Sequence, residues 1–288
     1  MHRKPILGEV ESIGGNTVMT RNSLGEKNPR LDAARLLILS LHDGVHVPAS
    51  CNSILLDGES RTANVERYLH VERDVGVTGL VTALLREVRG AIALSVRCPR
   101  GIVDMNRNPE FALPLQLPDS YSPSLLGIHT QAAQAIRFVL AHLHPNAKVL
   151  DLHSMCSGSP RSPVLQPTLS TLREHVALWM DAESAGERRP TDIIDSLEDG
   201  TLNGDRRFGE HLFTQLSDAG FSTEFNTPYA FSAQRHPIDF TQSRGTTLDI
   251  PKHHLTTGPL DACIPDQQKI GEIVVPIAAA IERYYREK

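Results

Sequence analysis

The sequence predicts an α/β fold with three layers, in which a mostly parallel, mixed central sheet lies between two layers of helices. Two observations carry that expectation. Short apolar runs of strand length alternate with longer segments whose apolar residues recur at helical spacing, the order of a sheet built from strand–helix–strand units. The runs RLLILSLHDG (35–44) and KVLDLHSMCSG (148–158) are too short and too apolar for surface helices, and fit strands buried inside such a sheet.

The bulk numbers bound the rest. The chain has 288 residues, 40% of them hydrophobic and 22% charged, enough for one large domain, and neither an internal repeat nor a linker divides it. A single domain over residues 1–288 is the simplest organisation. The net charge of −5 is spread without a basic block, which argues against nucleic acid as a partner. The opening MHRKPILGEV lacks the apolar core of a signal peptide, and no apolar run reaches the roughly 20 residues that cross a bilayer. A cytoplasmic protein with no membrane partner is expected. Cys51, Cys98, Cys156 and Cys263 are far apart, so neither a disulfide framework nor a thiolate zinc site is indicated. Thirteen histidines are many for this length, and some precede turns.

Taken in order, residues 1–33 read as an irregular segment. Residues 35–41 form a strand stopped by Asp43-Gly44. Val75 to Val88 repeats apolar residues at helical spacing and ends in Arg86, Glu87 and Arg89 before Gly90, a helix with its stop signals. AIALSV (91–96) is a strand and IVDM (102–105) a candidate second one. Ile128 to Leu143 is a helix, and Pro145-Asn146 turns the chain into the strand ending at His153. Serine, proline and charge in MCSGSPRSPVLQPTLS and DAESAGERRP predict long loops. Arg206 to Gly220 is a helix, FSTEFN (221–226) and GTTLDI (245–250) are strands, and EIVVPIAAAIERYY (272–285) is a closing helix.

In sheets of this kind function gathers at the carboxyl ends of the strands, where His42 and His153 both fall. Two imidazoles, a carboxylate and an open position for water make a catalytic zinc set. The carboxylate would come from HVERDVGV (70–77), which offers Glu72 and Asp74. Each residue also has a bland reading: a hydrogen-bonded core histidine, or for Asp74 a helix N-cap. His46, four residues after His42, has the spacing of a helical zinc pair, but Asp43-Gly44 argues against a helix and leaves it in a loop. Ser154 lacks the Gly-x-Ser-x-Gly elbow of a serine hydrolase. In CPRGIVDMNRNPE (98–110), Arg100, Asp104, Asn106 and Arg107 crowd together. Guanidinium forks match carboxylates in pairs of bonds, while a salt-bridged surface loop is the plain alternative.

The order of these motifs resembles the N-formylglutamate amidohydrolase family, itself similar to the zinc carboxypeptidases and aspartoacylases. The matching stretches are LHDGVHVP, Asp74-Val75-Gly76, Arg100 through Arg107, His129, Asp151-Leu152-His153-Ser154, Asn226-Thr227-Pro228-Tyr229 and Arg235-His236, over roughly residues 35–255. The resemblance implies a zinc-carboxypeptidase-like fold and Zn2+, or another divalent ion, held by His42, Asp74 and His153. It implies that Arg100 polarises the scissile carbonyl and that Asn106 and Arg107 grip a substrate carboxylate. His129, Asn226, Arg235 and His236 would complete the substrate site, and Asp104 and Asp151 would orient their neighbours.

Three positions depart from the family pattern. Leu41 replaces a proline, Ala230-Phe231 replaces a glycine pair, and Asp249 stands where the family carries a glutamate base. The function implied is a zinc-dependent amidohydrolase that removes a formyl or other small acyl group from an acidic amino acid. Its partner is a small-molecule N-acyl amino acid, with Asp249 as base. The alternative is a weakened or inactive relative that binds a metal or ligand. A carboxypeptidase acting on peptides fits less well, because Val45 stands where a His-x-x-Glu pair needs its glutamate.

Overall fold

The computed structural model describes residues 10–12, 17–21, 31–55, 58–158, 166–185, 188–229 and 244–287. Its main sheet comprises β1 (Val10–Ser12), β2 (Thr17–Arg21), β3 (Leu36–Ser40), β4 (Ala91–Val96), β5 (Lys148–Met155), β6 (Thr191–Ile194), β7 (Thr223–Phe225) and β8 (Gly245–Pro251). The helices are α1 (Asn52–Leu55), α2 (Glu59–Glu72), α3 (Val77–Glu87), α4 (Ser122–His142), α5 (Leu172–Ser184), α6 (Arg206–Asp218) and α7 (Gln267–Arg286). The strands lie in the order β1-β2-β4-β3-β5-β8-β6-β7. Strands β4, β3, β5 and β8 run parallel, whereas β1, β2 and β6 bring antiparallel pairings. The expected α/β fold with a mixed, mostly parallel sheet is the one formed.

Side-chain alternation divides the interior into two cores. Leu37, Leu39, Ile92, Leu94 and Val149 face one side, where residues of α2, α4 and α5 cover them. Leu36, Ile38, Leu150, Leu152, Leu248 and Ile250 face the other, under α3, α6 and α7. Every residue of β3 and β5 is buried, as strands covered on both faces require.

The chain leaves β3 for β4 on one side and, after β5, continues to β6 on the other. The strand order therefore reverses at the boundary of β3 and β5. A crevice opens there at the carboxyl ends, and it contains His42 and His153.

Four expectations are corrected. Part of the segment 1–33 is not irregular: Thr17–Arg21 pairs antiparallel with β4, and Val10–Ser12 pairs with it in turn. Residues 102–105 are not a strand, because the Ile102 and Val103 amides turn back onto the Pro99 carbonyl. The stretch DAESAGERRP (181–190) is not all loop, since its first four residues end α5. The expected helix at 128–143 begins at Ser122, with a proline in its first turn.

One polar knot ties the sheet to the helices at the end away from the crevice. Asp205 caps α6 by accepting from the Phe208 amide at 3.0 Å, accepts from the Tyr284 hydroxyl at 2.9 Å, and pairs with the buried Lys148 ammonium. Burial disfavours its ionised form, but Lys148 and these hydrogen bonds outweigh that and lower its pKa below the ordinary 3.8. The stabilisation is therefore full above the ordinary carboxylate range and disappears as the pH falls through and below it. Asp205→Ala should cost about 3–5 kcal/mol, because it strands a buried ammonium. A cap alone is worth ~1 kcal/mol. In urea titrations, adding Lys148→Met should recover much of the loss; no recovery would mean that the cap alone matters.

Candidate functional site

The crevice is built by backbone contacts before any side chain acts. After β3, Gly44 packs so tightly that a Cβ would lie 2.4 Å from the Arg97 carbonyl oxygen, so no larger residue fits. Asp43 accepts from Arg73 Nε at 2.5 Å and from the Thr78 amide at 2.7 Å, binding the end of β3 to the junction of α2 and α3. The Asp74 amide then donates to the His42 carbonyl at 3.2 Å. Gly76, at φ 98°, turns the chain into α3 where a side chain would strike Leu255. Asp74 is thereby fixed beside His42.

Strand β5 brings the third group. Asp151 and His153 are two residues apart and share a face, and in β8 Thr247 and Asp249 stand in register beside them. Asp192 of β6 is in register with Asp249 on its other side. A row Asp192–Asp249–His153 thus crosses three strands, with Asp192 and His153 buried at its ends.

Near nitrogens of both imidazoles converge on one carboxylate. Asp74 Oδ2 is 2.9 Å from His153 Nδ1 and 3.5 Å from His42 Nδ1. The three candidate ligand atoms lie within 4.8 Å of one another, and all three residues are at most 5% exposed. The far nitrogens face two further carboxylates: His42 Nε2 is 3.0 Å from Asp104 Oδ1, and His153 Nε2 is 2.9 Å from Asp151 Oδ2. With an ion bound, a carboxylate behind each ring would favour a proton on Nε2 and leave the Nδ1 lone pair for the ion. Three acceptors then point at one dry spot. Two imidazole nitrogens with one carboxylate oxygen are a donor set that could hold zinc.

The charges agree. Burial opposes the Asp74 carboxylate, yet the facing imidazoles hold its pKa far below the ordinary range. Burial likewise opposes a charged His153, and Asp151 and Asp74 nevertheless raise its pKa well above the usual value.

The loop 98–116 forms a second wall, organised by Asp104. Its carboxylate accepts from the Asn106 amide at 2.9 Å and lies 3.4 Å from Arg100 Nε and 3.5 Å from Arg107 Nε. Arg100, Asn106 and Arg107 all line the cavity, whose volume is about 900 Å³. The Asn106 amide nitrogen is 3.1 Å from His153 Nε2.

Other expected residues are placed differently. His129 is buried and its Nε2 donates to the Arg107 carbonyl at 2.9 Å, so it supports this loop from behind the cavity wall. Asn226 spends its side-chain oxygen on the Asp195 and Ser196 amides, each at 3.1 Å, and holds a turn rather than reaching the cavity. Glu72 accepts from His175 Nε2 at 2.7 Å and is not in the cluster. His46 is exposed. Arg235, His236 and the pair Ala230-Phe231 lie outside the described residues.

Asp249 lines the same cavity, and its Oδ1 is buried without a hydrogen-bond partner. Burial raises its pKa to about 7; Asp74 and Asp192 push the same way, against His153 and Arg100. Two features escaped the sequence reading. Asp192 accepts from the Thr227 and Tyr229 amides at 2.8 and 3.0 Å, fastening the loop that brings Tyr229 to the cavity. The TDII strand that carries it was not expected, being only four residues long and without an alternation of polar and apolar residues.

No protein-family model matches the chain, and no curated protein sequence matches it significantly. Solved structures do. An N-formylglutamate amidohydrolase from Ralstonia eutropha superposes with a TM-score of 0.63 at 15% identity, covering 95% of this chain and 99% of that one. The chain is similar in fold to that amidohydrolase. A gene product from Agrobacterium tumefaciens gives a TM-score of 0.56 at 13% identity, covering 95% of this chain and 96% of that one. A metallo-carboxypeptidase from Burkholderia cenocepacia gives 0.43 at 12% identity, over 98% of this chain and 65% of that chain. No helix among the described residues is long and apolar enough to cross a membrane.

The cluster generates a direct test. Elemental analysis of purified protein should find about one divalent ion per chain, and Asp74→Ala or His153→Ala should lose it. Chelation should lower the melting temperature, since an ion at a thousand times its Kd stabilises by about 4 kcal/mol. A protein that is purified without metal, and takes up none from added zinc, would sink the assignment.

Proposed function

We propose that the protein is a zinc-dependent amidohydrolase that removes a formyl or other small acyl group from an acidic amino acid. The observation that carries this reading is the convergence of His42, Asp74 and His153 in an arginine-lined cavity with Asp249, whose Oδ1 is buried without a partner. Similarity in fold to an N-formylglutamate amidohydrolase supports the choice of reaction. Zinc, or another divalent ion, held by the three residues would polarise the scissile carbonyl and make water a nucleophile near neutral pH.

The chain's own groups do the rest. Asp249 takes the proton of the attacking water and delivers it to the departing nitrogen, a role suited to a carboxylate whose pKa stands at about 7. Arg100 offers its guanidinium to the carbonyl oxygen as negative charge develops there. Asp104 holds Arg100 and Arg107 in the wall, which lowers the cost of ordering them at the moment of reaction. The Arg107 terminal amino groups have no acceptor among the described residues, leaving them to pair with a substrate carboxylate, with Asn106 beside them.

Asp249→Asn should abolish most turnover of N-formylglutamate while leaving metal content unchanged, because an amide cannot accept the proton. Asp249→Glu should retain or raise the rate. If metal-loaded wild type and Asp249→Glu both fail on formyl, acetyl and longer N-acyl acidic amino acids, the protein is a binder and not this enzyme. Arg107→Ala should raise KM about ten- to a hundredfold, the loss of a charged hydrogen bond worth roughly 1.5–3 kcal/mol. Equal KM values for wild type and variant would remove Arg107 from the site.

A further inference from the structure

Beyond Asp249, strand β8 delivers a residue that the proposed chemistry leaves unused. Lys252 is only 3% exposed, yet it carries an ammonium into the wall of the main cavity. Its Nζ donates to the Val71 carbonyl at 2.6 Å, and among the described residues it forms no ion pair and has no second acceptor. Lysine is almost never this buried unless its charge is matched. Glu72, which accepts from His175 Nε2 at 2.7 Å, answers this charge only through space, so among the described residues the Val71 carbonyl is the one group bonded to Nζ. An ammonium with donors to spare therefore borders the site from the α2 side, whereas Arg107 stands on the loop 98–116. Lys252 and Arg107 both line this one cavity of about 900 Å³, within the roughly 300–1,000 Å³ found for small-molecule sites.

We propose that Lys252 determines specificity by holding a second carboxylate of the substrate, the first being held by Arg107. This rests on the hydrolase reading of the site. The substrate class is then a dianionic N-acyl amino acid, with the α-carboxylate on Arg107 and the side-chain carboxylate on Lys252. Lys252 also borders a smaller cavity of about 270 Å³, lined by Arg188, His253 and Lys269, which provides the control.

The test is calorimetric binding of N-acetylglutamate and N-acetylglutamine to metal-loaded protein carrying Asp249→Asn, which halts turnover. The two ligands share the α-carboxylate and differ only in side-chain charge. The parent should prefer the glutamate derivative about ten- to a hundredfold, as expected for a hydrogen-bonded charge pair. Adding Lys252→Gln, which can still donate to Val71, should remove that preference; Lys252→Met checks the result if Gln lowers the melting temperature. Arg107→Ala should weaken both ligands alike, and Lys269→Met should change neither. The proposal is overturned if the preference survives loss of the Lys252 charge, if Arg107→Ala abolishes it, or if Lys269→Met does. It is also overturned if the parent binds neither ligand. Metal-loaded wild type and Asp249→Glu that both fail to hydrolyse formyl, acetyl and longer N-acyl acidic amino acids would sink the enzyme reading, while the binding preference would still report on Lys252.

Discussion

A single buried carboxylate between two imidazoles sets the terms for the rest of this structure. Asp74 lies between His42 and His153, and Asp104 and Asp151 stand behind the two rings. Four of these five groups are fixed on or beside the two strands flanking the point where the strand order reverses; Asp104 is the exception and arrives on a loop. Arg100 and Arg107 answer Asp104 from the cavity side, and the remaining excess of negative charge falls where a cation would sit. Backbone features that seem local follow from this. Gly44 permits the approach of loop 97–98, Asp43 locks the α2–α3 junction, and Gly76 turns the chain immediately after Asp74.

Much of this was legible because the central strands contradict ordinary burial. A strand covered on both faces should be apolar at every position, yet KVLDLHSM and TTLDI alternate, with Leu150, Leu152, Leu248 and Ile250 on one face and Asp151, His153, Thr247 and Asp249 on the other. Being buried, the polar face must be satisfied by partners, and a functional site is the usual reason to keep one there. The edges of the sheet were harder to read. VES and TVMTR are short, lie in a polar context, and join the sheet only through antiparallel pairing with β4, which no local signal announces. Helix α5 was hidden by the serine- and proline-rich sequence before it and the charged sequence after it. The pairing of Glu72 with His175 spans 103 residues, so no local spacing separates Glu72 from Asp74 as the ligand.

The family-like motifs also divide by physical role once placed in space. Those at strand ends, around His42 and His153, face the cavity, while others act at one remove. His129 reaches the cavity only by supporting the Arg107 backbone, and Asn226 only by holding the turn that leads to Tyr229. A motif read in sequence cannot distinguish a side chain that touches a ligand from one that shapes the wall, because both are tied to the same geometry. The hydrogen bonds make the distinction: a polar group fully engaged with backbone has little left for a substrate.

The shortened acid at position 249 is where these threads meet. An aspartate reaches one methylene less far than a glutamate, and proton transfer depends steeply on distance. Two features of the sheet work against that loss. Register with His153 fixes the Asp249 backbone directly beside a candidate metal ligand, on a strand rather than a loop. Asp192, in register on the far side, adds its own negative charge while its oxygens accept from the Thr227 and Tyr229 amides. Burial, with Asp74 and then Asp192 pushing the same way, brings the Asp249 pKa to about 7, where the group can take up and release a proton near neutral pH. The cavity that receives this carboxylate also carries two arginines and a buried lysine, so an anion entering it meets positive charge on more than one wall.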